Sequence, residues 1–276
     1  MLSMTTDYAI STGNPEPYLK RIADAGFTHI HWCHHWNTDF LYGPAEIHQL
    51  AKWLKHFHLR LNDLHASAGR EKSWGSAHEW ERLAGVELVK NRIDMTAELG
   101  ADVVVIHLPM EPQDPEERKA FWTRMEKTFD ELEPHAHKRG VRLALENMTS
   151  DNYDTLRKAL ALKGPDFLGI CYDCGHGNIV QPPEISRMWM EAHADRLIAI
   201  HLHDNDGKAD LHRVPFNGTV DWEWVSGIIA KSPYRKAVNL ESSIRNSGLS
   251  DEKEFLSECL AAAQRIEALI AAAREA

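Results

Sequence analysis

The chain has 276 residues, of which 43% are hydrophobic, and its formal net charge at pH 7 is −10. This length fits one large domain or two small ones, because α/β barrels of about 250 residues form a single domain. The negative charge argues against strong non-specific attraction to nucleic acid, because no surplus of cations is available to displace phosphate counterions.

The ends and the cysteines of the chain indicate its cellular setting. The N-terminus MLSMTTDYAI lacks the basic start and the apolar core of a signal peptide. No apolar run reaches the roughly 18 residues that a membrane span requires. The four cysteines predict no disulfide framework in a chain of this length. We therefore expect a cytoplasmic protein without a membrane partner.

Short β-branched runs alternate with amphipathic stretches of about 10–20 residues along the chain. The predicted strands are 7–11, 27–33, 60–66, 102–108, 141–147, 167–173, 197–203 and 236–242. The predicted helices are 15–25, 44–57, 77–99, 115–138, 152–162, 184–193, 221–230 and 251–274. Strict alternation predicts parallel strands joined by crossovers, and hence one closed (β/α)₈ TIM barrel over residues 1–276.

An open, doubly wound sheet is the alternative fold. Such a sheet would need a glycine-rich phosphate turn after its first strand, and STGNPEP at 11–17 matches that motif poorly. The alanine-rich C-terminal stretch is interpreted as the last helix of the barrel, and a partner-binding helix is the other interpretation. Assembly into a homo-oligomer stays open.

The ends of the predicted strands carry carboxylates and imidazoles. Catalytic groups of a TIM barrel lie at these ends and in the loops that follow them. The residues here are His65, His107, Glu146, Asp173, His201, His203 and Glu241, with His176, Asp210 and His212 in the following turns. Converging carboxylates repel one another unless they are protonated or bind a cation. The pattern therefore predicts a divalent metal site.

The residue types also restrict the metal. Mixed nitrogen and oxygen ligands suit Zn²⁺, Mn²⁺, Fe²⁺ or Co²⁺ better than Mg²⁺ or Ca²⁺. Each residue alone has an ordinary interpretation, since a single histidine is more often a core residue and a single glutamate often pairs with a cation. The C-x-x-C run at 171–174 is interpreted as packing, because the sequence has no second cysteine pair to complete a zinc site.

Six motifs in order carry a family resemblance. They are LHAS (64–67), VIHLP (105–109), LALENM (143–148), YDCGHGN (172–178), HLHDNDGKADLHRVPFNGTVDW (201–222) and NLES (239–242). The chain resembles the xylose isomerase-like TIM barrels. This superfamily includes sugar (phosphate) isomerases and epimerases, inosose dehydratases and abasic-site nucleases of the endonuclease IV type.

The resemblance to the epimerase-like members implies one metal ion on Glu146, Asp173, His201 and Glu241. It also implies that Glu146 and Glu241 act as the catalytic acid/base pair. One carboxylate would remove the proton next to a carbonyl of a sugar, sugar phosphate or related polyol, giving an enediolate. An inosose-type dehydratase would begin with the same proton abstraction, and a metal-binding barrel without turnover is a further alternative.

The resemblance to the endonuclease-like members implies more ligands, in a three-metal, zinc-dependent cluster, so the chain could hold two or three ions. The matching residues are His65, His107, Glu146, Asp173, His176, His201, Asp210, His212 and Glu241. The alternative function is therefore a zinc-dependent abasic-site endonuclease.

The predicted loops favour a small substrate over DNA. A nuclease needs lysine and arginine along its rim. The loop after the second strand, HHWNTDFLYGP, is aromatic, and the loop at 67–80 carries no basic stripe. The candidate substrate-binding residues are Trp36, Trp74, His203 and Arg213. We therefore predict a metal-dependent isomerase or epimerase of carbohydrate metabolism, with Zn²⁺ or Mn²⁺ as its cofactor.

Overall fold

The computed structural model describes residues 1–67, 69–149 and 153–276. The strands are β1 (Leu2–Thr5), β2 (His29–Trp32), β3 (Arg60–His65), β4 (Val103–His107), β5 (Arg142–Glu146), β6 (Leu168–Asp173), β7 (Leu197–His201) and β8 (Val238–Leu240). The helices are α1 (Glu16–Ala25), α2 (Pro44–His56), α3 (Glu79–Glu98), α4 (Pro115–Arg139), α5 (Asp154–Leu162), α6 (Cys174–Ile179), α7 (Glu184–His193), α8 (Trp222–Lys231) and α9 (Glu252–Glu275). Within the described ranges, no helix has both the length and the apolar character needed to cross a bilayer.

The eight strands form one parallel sheet that curls into a barrel. Its strand order is β7-β6-β5-β4-β3-β2-β1-β8. The seam between β7 and β8 is closed by Leu202, just beyond β7, whose N–H donates to the Asn239 carbonyl of β8 at 3.1 Å. The Glu241 N–H in turn donates to the Leu202 carbonyl at 3.0 Å. The predicted (β/α)₈ barrel is therefore confirmed.

The prediction for the first strand is wrong. The paired strand is Leu2–Thr5, and 7–11 belongs to the loop that follows it. The apolar residues of that segment pack against the core and do not pair in the sheet. The buried Tyr8 ring stacks on Phe255 with centroids 5.9 Å apart. As a consequence, Asp7 lies at the mouth of the barrel.

The other predicted elements agree with the structure within two residues at each end. The short helix α6 was not predicted. It begins directly after β6 because the Asp173 carboxylate accepts a hydrogen bond from the His176 N–H at 2.7 Å, as an N-cap does. The predicted helix 152–162 starts at Asn152, which lies outside the described residues, as does Ala68 in the loop at 67–80.

A small apolar cluster lies apart from the main core, which fills the space between strands and helices. Its members are Val103, Val105, Ala144, Cys171, Ile198 and Ala199. Four of the six stand two residues before His107, Glu146, Asp173 and His201. Since residues two apart share one face of a strand, these apolar side chains lie below the polar strand ends. The small side chains leave room for the larger polar groups above them.

The loop after β3 is fixed by close packing against α3 and α4. Trp74 is 3% exposed, and its ring packs on Phe129 with centroids 5.9 Å apart. The Thr128 hydroxyl donates to the Trp74 carbonyl at 3.1 Å. Gly85 of α3 faces the Trp74 backbone so closely that a Cβ at this position would overlap the backbone nitrogen. The helix can approach this loop only because residue 85 has no side chain.

We expect Gly85→Ala to lower the free energy of unfolding by about 1–3 kcal/mol, because the added methyl group overpacks a rigid backbone contact. Gly227→Ala in α8 is the matched control, since its Cβ would meet no atom within 4 Å. That substitution should raise the free energy of unfolding by about 0.5–1 kcal/mol. Urea denaturation measures both, and equal effects of the two substitutions would contradict the packing described here.

The long loop between β7 and α8 is organised by one buried carboxylate. Asp204 is 0% exposed and accepts hydrogen bonds from the Phe216 N–H, the Val220 N–H and the Trp222 indole N–H, at 2.9, 3.1 and 2.9 Å. Its backbone also pairs with that of Arg213. These bonds hold both ends of the loop and thereby set the position of the segment between them.

We expect Asp204→Asn to lower the free energy of unfolding by about 1–3 kcal/mol or more, because an amide places N–H groups opposite N–H donors. Asp206→Asn in the same loop is the matched control. The Asp206 side chain is exposed and accepts from the backbone N–H groups of Lys208 and Ala209 at the surface. Thermal unfolding should place Asp206→Asn close to the wild type. A Tm of Asp204→Asn equal to that of Asp206→Asn would contradict the anchoring role.

Candidate metal centre

The nine predicted metal ligands all lie at the carboxyl end of the barrel. Seven of them line one cavity of about 300 Å³, and Asp173 and His201 lie fully buried beneath it. The seven are His65, His107, Glu146, His176, Asp210, His212 and Glu241. The structure therefore brings together side chains that are up to 176 positions apart in the sequence, from His65 to Glu241.

The Glu146 carboxylate is the centre of this arrangement. It is 2% exposed, and imidazole nitrogens approach both of its oxygens. Oε2 lies 3.1 Å from His107 Nε2, 3.5 Å from His65 Nε2 and 3.3 Å from His201 Nδ1. Oε1 lies 3.3 Å from His176 Nδ1. The Glu146 carboxylate thus contacts candidate ligands from three other strands and from α6.

Among the described residues, Glu146 belongs to three groups whose donor atoms lie close enough to hold a divalent ion. One donor atom each from Glu146, Asp173, His201 and Glu241 lies within 4.8 Å of the others. In this group His201 Nδ1 is 3.1 Å from Glu241 Oε2 and 4.0 Å from Asp173 Oδ2. The second group consists of His65, His107 and Glu146, and the third of Glu146, Cys171 and His201.

A further group lies at the side of α6 and the loop after β7. Asp210 Oδ2 lies 3.3 Å from His176 Nε2 and 3.2 Å from His212 Nε2. His203 also reaches this group, but its Nε2 is 3.0 Å from Asp173 Oδ1 and its ring stacks on His212 with centroids 3.9 Å apart. Its contact with Asp173 gives His203 the position of an orienting residue.

Backbone carbonyls orient three of the candidate imidazoles. The Nδ1 atoms of His65, His176 and His212 lie 2.8, 2.8 and 2.6 Å from the carbonyl oxygens of Ala66, Asn147 and Glu241. A ring nitrogen held in this way fixes the tautomer and leaves Nε2 available as a ligand. These contacts preorganise the site before any ion arrives.

Asn147 fixes the position of Asp173. Its side-chain amide donates to the Asp173 carbonyl at 2.9 Å, and its side-chain oxygen accepts from the Asp173 N–H at 2.8 Å. Because these two bonds reproduce a strand pairing, β5 and β6 stay in register at their ends. The sequence alone does not indicate this role of Asn147.

The charges at the site favour a cation. Burial opposes ionisation of Glu146, but His201 and His107 outweigh it and hold the pKa of its carboxyl well below its usual range. Burial likewise opposes protonation of His212, and Asp210 and Glu241 raise the pKa of its imidazole to about 10. Without metal, the His212 imidazole therefore retains a proton beside the Asp210 carboxylate. A divalent ion replaces such protons when it binds.

The donor set fits a divalent transition metal. Both ring nitrogens of His201 are buried and lack a well-aligned hydrogen bond, although carboxylate oxygens lie close to Nδ1. The described residues at the centre combine carboxylate oxygens with imidazole nitrogens, which suits Zn²⁺, Mn²⁺, Fe²⁺ or Co²⁺.

The four predicted substrate-binding residues have different positions. Trp36 lines the cavity, with its ring centroid 5.3 Å from that of His65 and 5.9 Å from that of His107. Trp74 is part of the core, His203 is 0% exposed, and the side chain of Arg213 does not line the cavity. Among these four, Trp36 has the position expected of a substrate contact.

Several cavity-lining residues were not found from the sequence. Asp7 and Ser11 follow β1, and Arg245 follows β8. Asp7 was not identified because the first strand was predicted at 7–11. Its position two residues after the end of the true strand, Leu2–Thr5, is the signal that could have indicated it. Arg245 supplies the only lysine or arginine that lines the cavity within the described ranges.

Comparison with known proteins places this architecture in a family. The chain is 34% identical over 282 residues to the uncharacterized protein y4fM of Sinorhizobium fredii, covering 93% of this chain and 90% of that protein. It superposes on a D-tagatose 3-epimerase-like protein with a TM-score of 0.77, 19% identity and coverage of 100% of this chain and 99% of that one.

A D-psicose 3-epimerase from Clostridium cellulolyticum H10, solved with D-tagatose, gives a TM-score of 0.76 and 17% identity. Coverage is 98% of this chain and 99% of that chain. At such low identities these two structures share the fold with this chain.

The family model described as "Xylose isomerase-like TIM barrel" matches residues 19–259. The chain therefore belongs to the xylose isomerase-like TIM barrel family.

Proposed function

We propose that the protein is a metal-dependent isomerase or epimerase that acts on a sugar, a sugar phosphate or a related polyol. The observation that carries this proposal is the convergence of Glu146 and Glu241 with Asp173 and His201 at the floor of a small cavity. The solved sugar epimerases of the same fold agree with it.

Glu241 and Glu146 are the proposed acid/base pair. A divalent ion held by these residues with Asp173 and His201 would polarise a substrate carbonyl and the neighbouring hydroxyl group. Interactions with imidazoles hold the pKa of both glutamates below its usual range, so each is ionised and able to accept a proton.

The proposed chemistry is a proton transfer at the carbon next to the carbonyl. Glu241 accepts the proton, the C–H bond breaks, and its electron pair gives an enediolate. Glu146, after taking up a proton from solvent, delivers it to the opposite face of the same carbon to give an epimer, or to the neighbouring carbon to give an isomer, and Glu241 releases its proton to solvent. A dehydratase would lose a hydroxide from the same enediolate.

The size and lining of the cavity support a small polyhydroxylated substrate. Its volume of about 300 Å³ is at the lower end of small-molecule sites, which span about 300–1,000 Å³. Hydroxyl and amide groups of Thr5, Ser11, Asn37 and Ser243 line the walls. The Trp36 ring offers a flat surface for the apolar face of a sugar.

A second candidate function is hydrolysis of a phosphodiester at an abasic site. The observation that favours it is the presence of several ligand groups, some sharing Glu146 and one formed around Asp210, which together include all nine predicted donors. The single cation of the cavity lining and the net charge of −10 argue against a DNA backbone as the substrate. Nicking of a duplex that contains an abasic site would support this candidate.

We expect solvent deuterium to enter the carbon next to the carbonyl when Mn²⁺- or Co²⁺-loaded protein is incubated with ketoses in D₂O. Glu241→Gln should reduce this exchange by at least about 10²-fold, because an amide cannot accept the proton. NMR spectroscopy of free and phosphorylated ketoses measures the exchange.

The matched control is Glu223→Gln, which removes an exposed carboxylate from α8. It should exchange deuterium as fast as the wild type. Exchange that survives in Glu241→Gln would contradict the assigned base, and wild-type protein that exchanges no tested ketose would contradict the isomerase proposal.

We also expect more than one divalent ion per chain, because the group around Asp210 lies beside the group around Asp173. The double substitution Asp210→Asn, His212→Gln should lower the bound metal by one equivalent and leave the ion at Glu146 in place. Elemental analysis by mass spectrometry measures the content, with Asp206→Asn as the control in the same loop. Equal metal content in the double variant and the wild type would contradict a separate ion at Asp210.

A further inference from the structure

A buried histidine–aspartate pair lies below the candidate metal centre. His31 of β2 and Asp63 of β3 are register partners in the sheet, and both side chains are 0% exposed. His31 Nδ1 lies 2.5 Å from Asp63 Oδ1, and the Asn62 side-chain amide donates to Asp63 Oδ2 at 2.9 Å. Both oxygens of the carboxylate are therefore occupied by donors.

The other nitrogen of His31 faces the candidate metal ligands. His31 Nε2 is fully buried and has no hydrogen-bond partner among the described residues. The His31 ring lies 4.5 Å from the His201 ring, centroid to centroid. One donor atom each from His31, His201 and Glu241 lies within 4.8 Å of the others. Since Asp63 holds Nδ1, Nε2 is the nitrogen that is free to meet His201 and Glu241.

A buried, unpaired ring nitrogen next to a carboxylate needs an explanation. A carboxylate accepts hydrogen bonds, so in the short contact His31 donates to Asp63 through Nδ1–H. In that tautomer of the neutral imidazole Nε2 carries the lone pair that binds a metal, and it lies beside His201 and Glu241.

We propose that His31 is an additional ligand on the inner side of the metal centre, and that Asp63 orients it. A histidine that binds a metal through one nitrogen and donates to a carboxylate through the other is a recurrent arrangement in metalloproteins. This inference rests on the metal centre of the proposed function, to whose predicted ligands it adds a residue of β2.

The additional imidazole has a consequence for the choice of metal. Glu146, Asp173 and Glu241 supply oxygen ligands, and His201 supplies one nitrogen. A second nitrogen from His31 shifts the preference of the site towards Zn²⁺ and Co²⁺ and away from Mg²⁺. The central ion should therefore be a transition metal even when Mg²⁺ is in excess.

Cobalt binding tests the proposal without requiring turnover. The full-length wild type, His31→Gln and Asp63→Asn are stripped of metal and titrated with Co²⁺ in competition with a chelator, and the visible absorption spectrum is recorded. His31→Gln should weaken the tightest Co²⁺ site by at least about tenfold and change its spectrum. Asp63→Asn, which preserves the shape of the side chain, should weaken the same site by about 10–100-fold.

The matched control is His34→Gln. His34 is also buried, at 1% exposure, but it lines a separate aromatic cavity with Trp32 and Tyr42. Its Co²⁺ affinity and spectrum should equal those of the wild type. Thermal unfolding of the metal-free proteins shows which variants are folded. If His31→Gln does not fold, the Co²⁺ affinity of Asp63→Asn decides whether the proposal holds.

Two results would overturn the proposal in distinguishable ways. A folded His31→Gln or Asp63→Asn variant with wild-type Co²⁺ affinity and spectrum would remove His31 from the metal centre and leave the proposed function intact. Wild-type protein that binds no Co²⁺ would contradict the metal-dependent function itself, and the role of His31 with it.

Discussion

The burial of several carboxylates at one end of the barrel is the constraint on which the rest of the site depends. Glu146 is nearly inaccessible to solvent, yet it is surrounded by imidazoles from β3, β4, β7 and α6. Its ionised form is stable only because positive charge lies against both oxygens. Despite their burial, the imidazole pKa values of His176 and His201 are raised well above the usual range by neighbouring acidic groups, so in the metal-free protein their protons supply that charge. A bound divalent ion would supply it in their place. The same need for compensating positive charge applies to Asp173 and Glu241, which lie beside Glu146.

The fold meets this constraint through the geometry of parallel strands. All strands point their carboxyl ends to one side, so a single polar residue at each end produces a ring of ligands. Apolar residues below them, such as Ala144 and Ala199, make space without adding polar groups. The ligands of the loop after β7 need a different support, which the buried Asp204 carboxylate provides through its bonds to Phe216, Val220 and Trp222.

The barrel and the position of the ligand ring could be predicted from the sequence, because both follow from local patterns. Alternating strand and helix signals identify the repeat, and residues such as Glu146 and Asp173 stand at strand ends regardless of tertiary detail. Local patterns could not predict how deeply a given side chain is buried in the folded protein. Trp74 follows a strand in the sequence, as a residue at the barrel mouth would, but it is buried and packed against Gly85. In the sequence His31 looks like an ordinary strand residue, and only the folded structure places it beside His201. Asp7 was concealed because the apolar segment around Tyr8 packs on Phe255 instead of pairing in the sheet.

The most direct test of a metal-centred site is anomalous diffraction from crystals of the protein grown with Mn²⁺ or Co²⁺. We predict an anomalous peak bounded by Glu146, Asp173, His201 and Glu241, with the carboxylates turned towards it. A structure in which these side chains bind only one another, with no anomalous peak at saturating metal, would contradict a metal-centred site.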